Sequence, residues 1–283
     1  LSFCLYILIW MHNFSHEGCA FFLIQIKIIG GIKMKKTAII TGSSRGLGAK
    51  IAITLLEKGY NVVVNYKQNK DKAEKLIRNY NQSRAIAIQA DVTDRNDVNR
   101  MIQTATQHFG KIDIVINNAL VGFKFDPNQQ KSFKDLTWED YQQQLNGTLK
   151  GAFNVTQSVI PQFIEQQSGC IVSIGTNLYQ NPVVPYHEYT TAKAGLIGFT
   201  RNIAAELGQY GITANVVSGG LLKTTDASAV TTPEVFDLIA QTTPLRKVTS
   251  PQDVANMVVY LASDEARGVT GQNITVDGGL TMN

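Results

Sequence analysis

From Lys35 onward the chain alternates two kinds of hydrophobic pattern. Short β-branched runs occur as KKTAIITG (35–42), NVVVNY (61–66), RAIAIQADV (84–92), KIDIVINNA (111–119), GCIVSIGT (169–176), GITANVVSGG (211–220) and NITVDGG (273–279). Several are continuously apolar, the pattern of parallel strands covered on both faces. Between them, apolar positions recur at helical spacing over 46–58, 69–80, 94–108, 137–165, 188–209 and 251–262. This order predicts one α/β domain, a doubly wound parallel sheet of seven strands with helices on both faces. Ligands of such sheets sit beyond the carboxyl ends of the strands. Segment 221–250 shows little periodicity and is expected to be a loop-like lid, with Leu221, Leu222, Val230 and Phe236 lining a substrate or packing inward.

Residues 1–33 do not share the pattern. They are apolar, but His12, Asn13, His16 and Glu17 divide them into runs shorter than the ~20 residues a bilayer span needs. A basic start and a small-residue cleavage site are also lacking. Gly30-Gly31 can be encoded GGA-GGN, a purine-rich ribosome-binding sequence just ahead of the codon for Met34. The expectation is therefore that translation starts at Met34, that 1–33 is an untranslated leader, and that the domain is 34–283; a membrane-touching arm is the alternative.

Composition narrows the partners. With 26 basic and 22 acidic residues scattered along the chain, the formal charge of +4 offers no basic stripe for nucleic acid or an anionic membrane. Cys4, Cys19 and Cys170 make neither a disulfide framework nor a metal-ligand cluster. A cytoplasmic protein without a bound metal is expected.

Candidate chemistry begins where the first strand ends in TGSSRGLG (41–48). Gly42, Gly46 and Gly48 allow a tight turn, close approach of a pyrophosphate and close helix-on-strand packing, while the helix N-terminus offers N–H donors. Ser43, Ser44, Arg45 and Leu47 complete this loop. Where an acid at the end of the second strand would bind a ribose 2′-hydroxyl, the chain has Asn65-Tyr66-Lys67. Arg45 and Lys67 are suited instead to a 2′-phosphate, so NADP(H) is the expected cofactor. Tyr189 and Lys193, four apart in YHEYTTAKAGL, share a helix face. Tyr66 and Lys70 repeat the interval, so spacing alone does not decide which pair matters.

Together these motifs resemble the short-chain dehydrogenase/reductase superfamily, from Met34 to the end of the chain. The loop matches TGxxxGxG, Asp91-Val92 the adenine-contacting pair, Asn117-Asn118-Ala119 the NNA strand end, and Tyr189 with Lys193 the YxxxK motif. KAGLIGFT, GITANVV, YLASDEA and VTGQNITVDGG are similar to 3-oxoacyl-[acyl-carrier-protein] reductases. The resemblance implies a Rossmann-type fold and NADP(H)-dependent carbonyl reduction. Tyr189 would donate the proton, Lys193 would lower its pKa and bind the nicotinamide ribose, and Thr176 would orient the carbonyl. Asp91, Val92, Asn118, Ala119, Gly220, Leu222 and Thr224 would border the cofactor. A homotetramer built on helices 137–165 and 188–209 and the last strand is also implied. Tyr186 would be a pocket wall.

Departures from the family pattern stand beside these matches. Thr176 replaces serine, Thr148 falls where the family has a catalytic asparagine, Leu120 replaces the glycine of NNAG, and Gly219-Gly220 replaces Pro-Gly. Asn146 lies roughly 200° round a regular helix from Thr148 and substitutes only if the backbone bulges. Gln167 and Tyr210 stand where basic residues would meet an acidic carrier protein, so acyl carrier protein is a doubtful partner. A catalytically impaired NADP(H)-binding sensor or assembly partner is the alternative function.

Overall fold

The structure is a computed structural model describing residues 35–123, 125, 126, 130–223, 225 and 228–282. The expectation about a leader falls outside these residues, as does Thr224. The strands are β1 Thr37–Ile40, β2 Asn61–Tyr66, β3 Ala85–Gln89, β4 Ile114–Asn117, β5 Gly169–Thr176, β6 Ile212–Gly219 and β7 Asn273–Val276. They form one sheet in the order β3-β2-β1-β4-β5-β6-β7, parallel at every pairing. The order reverses between β1 and β4, which opens a crevice at their carboxyl ends.

Helices α1 Gly46–Glu57, α2 Lys70–Ile77, α3 Arg95–Phe109, α4 Trp138–Leu145, α5 Gly151–Gln166, α6 His187–Leu207, α7 Pro233–Thr242 and α8 Pro251–Ala262 cover the sheet or connect its strands. The continuous apolar strands serve two cores. Ala38 and Ile40, Val62 and Val64, and Ile114 and Ile116 pack with α1 and α8, whereas Ile39, Val63 and Val115 point the other way onto α3 and α5. Each of these central-strand residues therefore buries against a helix layer whichever way it faces. Caps start the helices where the sequence supplies them: Asp94 accepts from the backbone of Asn96 and Asp97, and Ser250 with Asp253 forms a capping box ahead of α8. Among the described residues no helix is long and apolar enough to cross a membrane.

Two expectations change. The lid segment is not wholly loop: α7 opens at Thr232-Pro233, where a proline in the first turn spends no backbone donor. The predicted single helix 137–165 is interrupted by a π-helical turn, Asn146–Lys150, between α4 and α5.

Candidate active site

The glycine loop is held from beneath. Thr41 Oγ1 accepts from the backbone N–H groups of Asn118 (2.9 Å) and Ala119 (3.0 Å), and Asn118 Nδ2 donates to the carbonyls of Thr41 (2.8 Å) and Gly42 (3.1 Å). Asn65 Oδ1 accepts from Gly42 N–H (3.0 Å), and its amide donates to the Ala90 carbonyl (3.1 Å). Ser43 is buried, with its hydroxyl donating to the Ile40 carbonyl (2.7 Å). At Gly46, with φ of +58°, an added Cβ would meet nothing within 4 Å, so the backbone at the start of α1 faces open space that a phosphate can enter. At Gly48 a Cβ would lie 2.5 Å from Asn118 Nδ2 and 2.9 Å from the Gly42 carbonyl oxygen and Ser43 Cα. Backbone cannot yield that much. Gly48→Ala is expected to cost about 1–3 kcal/mol of stability, visible as a lowered unfolding midpoint.

Three of the expected cofactor contacts also have partners within the protein. The Asn65 and Asn118 amides hold the loop, and Tyr66 is 7% exposed within the core packed on α1 and α2. Strand alternation carries the signal for Tyr66, since Val62, Val64 and Tyr66 share one face. Lys67 Nζ is 2.6 Å from Asp91 Oδ2 and half exposed. Burial acts to raise the Asp91 carboxyl, but the bonds from Lys67 and Thr93 outweigh it and hold it below its usual range. Thus the lysine expected to meet a phosphate and the aspartate expected to meet adenine are paired with each other. Arg45 is exposed at the N-cap of α1, and Ser44 and Leu47 lie beside it in the loop. Val92 is buried against Gly151, and its carbonyl accepts from Asn154 Nδ2 (2.9 Å). Beyond β6, Gly220 packs against Asp277 and Asn177, and Leu222 against the sheet core.

Tyr189 and Lys193, both on α6, meet Thr176 at the end of β5. Thr176 hydrogen-bonds the Tyr189 phenol and also accepts from Leu178 N–H (3.3 Å). Lys193 Nζ donates to the Ile174 carbonyl (2.6 Å) and lies 5.9 Å from the centre of the Tyr189 ring. The other candidate pair is not comparable: Tyr66 is in the core, while exposed Lys70 pairs with Glu74 across one turn of α2. Burial pushes Tyr189 up to about 12, against the Thr176 hydrogen bond and with help from Tyr186, and burial pushes Lys193 down to about 8. Desolvation penalises the charged form of each.

The burial comes from residues that sequence reasoning missed. Phe123 stacks on Tyr189 with ring centres 4.6 Å apart and planes at 22°, and Phe125 meets Tyr189 edge-on at 5.2 Å. Tyr186, expected as a pocket wall, stands edge-on to Phe123 at 5.2 Å. Both phenylalanines lie in the connection after β4, where no periodicity signals an inward side chain.

Beneath this cluster lies a cavity lined by Thr41, Asn117, Thr148, Gly151 and Lys193, among others. Its volume, about 10 Å³ open to a water's centre, is roughly that of one water position. Thr148 Oγ1 and Asn117 Oδ1 are buried and, among the described residues, find no hydrogen-bond partner. The π-helical turn resolves the question left open about Asn146: the backbone does widen, yet Asn146 is exposed and Thr148 is the residue turned inward.

Comparison with known proteins follows the same lines. The family described as Enoyl-(Acyl carrier protein) reductase matches residues 42–281. The chain is 38% identical over 251 residues to 3-oxoacyl-[acyl-carrier-protein] reductase FabG of Staphylococcus epidermidis, covering 88% of this chain and 100% of that one. It is 33% identical to the 3-oxoacyl-[acyl-carrier-protein] reductase of a Synechocystis species, covering 87% and 97%. Among solved structures it is similar to a mutant short-chain dehydrogenase/reductase of Serratia marcescens, with a TM-score of 0.76 at 27% identity, covering 87% of this chain and 98% of that chain. A parallel seven-stranded sheet, a glycine loop at its switch point and relatives matched over their whole length carry one conclusion: the chain belongs to the short-chain dehydrogenase/reductase family of oxidoreductases.

Proposed function

We propose that the chain is an NADP(H)-dependent carbonyl reductase acting on 3-oxoacyl thioesters and related ketones. The observation that carries this reading is the convergence of Thr176, Tyr189 and Lys193 at the carboxyl end of β5, on the crevice that the glycine loop borders. The residues fit the cofactor, since Gly46 leaves room for a phosphate at the N-terminus of α1. Gly42, Ser44, Arg45 and Leu47 would hold its pyrophosphate, Asp91 and Val92 its adenine, Ala119 and Lys193 its riboses, and Gly220, Leu222 and Thr224 its carboxamide. When bound, NADPH supplies a hydride. Thr176 orients the carbonyl oxygen by hydrogen bond, and Tyr189 gives that oxygen a proton. Lys193, as an ammonium, favours the phenolate left behind. A water between Lys193 and Thr148, in the cavity that Asn117 also lines, would relay the replacement proton.

Selectivity for the 2′-phosphate is assigned to Arg45, with Lys67 contributing if its bond to Asp91 is shared. Arg45→Ala is expected to lower the ratio of kcat/KM for NADPH over NADH by about tenfold, the loss of one charge-assisted bond of ~1.5 kcal/mol. An unchanged ratio would remove Arg45 from that role. The supporting assay is NADPH oxidation over acetoacetyl thioesters, diketones and quinones. Equal rates on free and carrier-bound acetoacetyl groups would remove a carrier protein as specific partner, in keeping with exposed Gln167 at one of the two expected docking positions. The same reading carries a homotetramer through α4, α5, α6 and β7, testable by light scattering.

A second reading is favoured by Phe123 lying over Tyr189: an NADP(H)-binding sensor with impaired chemistry. Tight NADPH binding without turnover of any carbonyl would select it.

A further inference from the structure

The phenol of Tyr189 sits behind an aromatic shelf. Tyr189 and Tyr186 are each 6% exposed, and the rings of Phe123, Phe125, Tyr186 and Tyr189 all touch one another. Phe123 lies flat on Tyr189, while Phe125 and Tyr186 stand edge-on around it at interplanar angles near perpendicular, 80° and 82° to Phe123. Gly122, with φ of +72°, turns the chain just before Phe123, and a Cβ there would lie 2.7 Å from Gln143 Nε2. Phe123 and Phe125 are only partly buried and belong to no helix or strand. They are therefore the members of the shelf that can move without unpacking an element.

With Tyr189 6% exposed and Phe123 flat on its ring, Phe123 is the member of the shelf whose displacement would admit a carbonyl to the phenol. Displacement breaks a stacked pair and uncovers a flat slot, one face made by Tyr189 and two sides by the edges of Phe125 and Tyr186. An alkyl group put there covers area but restores no ring geometry. A flat ring restores both the stack and the edge contacts, because an aromatic face attracts the positive edge of a neighbouring ring.

We infer that the shelf selects carbonyls borne on a flat ring, an aryl ketone class that includes 3-aryl-3-oxoacyl thioesters. This rests on the carbonyl-reductase reading and specifies its substrate. In the step, hydride from the reduced nicotinamide forms a C–H bond at the carbonyl carbon, the C=O π pair moves to oxygen, and the Tyr189 hydroxyl protonates that oxygen. The ketone becomes a secondary alcohol, the nicotinamide is oxidised, and Tyr189 regains a proton from solvent.

The test compares NADPH oxidation with ethyl benzoylacetate, its cyclohexyl analogue of similar bulk but no flat face, and ethyl acetoacetate. The expected kcat/KM is about fivefold or more higher for the phenyl than for the cyclohexyl ketone, within the roughly 2- to 12-fold that one ring pair supplies. Phe125→Leu should shrink this ratio toward unity. Phe123→Ala should raise kcat/KM for ethyl acetoacetate several-fold, since no stack is then broken, with circular dichroism confirming that both variants fold. A parent protein that turns over the cyclohexyl ketone as well as the phenyl one overturns the inference but leaves the reductase reading standing. A phenyl preference untouched by Phe125→Leu also overturns it. Oxidation of NADPH with none of the three overturns both.

Discussion

Lys193→Met is expected to lower kcat/KM for carbonyl reduction by about 10²- to 10³-fold, in the range of a lost partner in acid–base chemistry. The ammonium is nearly buried and, among the described residues, is held by its bond to the Ile174 carbonyl. Methionine keeps most of the volume and the helix propensity of lysine. It should also stabilise the protein, because a buried amine pushed down to about 8 opposes folding wherever the unfolded chain would hold that proton. The sign follows from proton counts. Between pH 8 and the ordinary lysine value of 10.5 the unfolded chain binds more protons at this site, so parental stability rises with pH there, and the variant loses that rise. Activity moves the other way. The charged amine is the useful form, so kcat/KM of the parent should fall as pH rises through about 8. A parent flat through that region, or a variant within a factor of three of it, would remove Lys193 from the chemistry.

Much of this site was legible from residue types at fixed spacing. The loop of residues 41–48 declares itself because only glycine meets the open backbone at Gly46 and the crowded one at Gly48. Continuous apolar strands such as Ile114–Asn117 declare a sheet covered on both faces, since Ile114 and Ile116 bury on one side and Val115 on the other. What stayed hidden depends on where side chains turn. A π-helical turn has no apolar period of its own. The one at Asn146–Lys150 is accommodated because Gly147 lets the helix press on Val121, where a Cβ would lie 2.8 Å from the carbonyl oxygen. Phe123 and Phe125 sit in a connection without regular structure, so their approach to Tyr189 is a tertiary event. Burial of Tyr189 by those rings is likewise invisible to spacing. Two residues one helical turn apart specify attraction, whereas the solvent they lose is set by chain far away.

Tyr189→Phe is expected to have the larger effect, about 10²- to 10⁴-fold in the chemical step. The substitution removes one oxygen and leaves the ring, so the stack with Phe123 and the packing of α6 persist. What disappears is the O–H that Thr176 hydrogen-bonds and that the proposed protonation uses. Burial pushes this phenol up to about 12, so the substitution removes a group whose acidity the bound reactants are expected to raise. NADPH affinity should change less than threefold, because the bonds from Asn65 and Asn118 that hold the glycine loop do not involve Tyr189. The most direct measurement is single-turnover oxidation of pre-bound NADPH by the best ketone found for the parent, followed in parent and Tyr189→Phe proteins at equal cofactor occupancy. A burst in the parent that slows by at least about 100-fold in the variant is the predicted result, and equal single-turnover rates in the two proteins would contradict it.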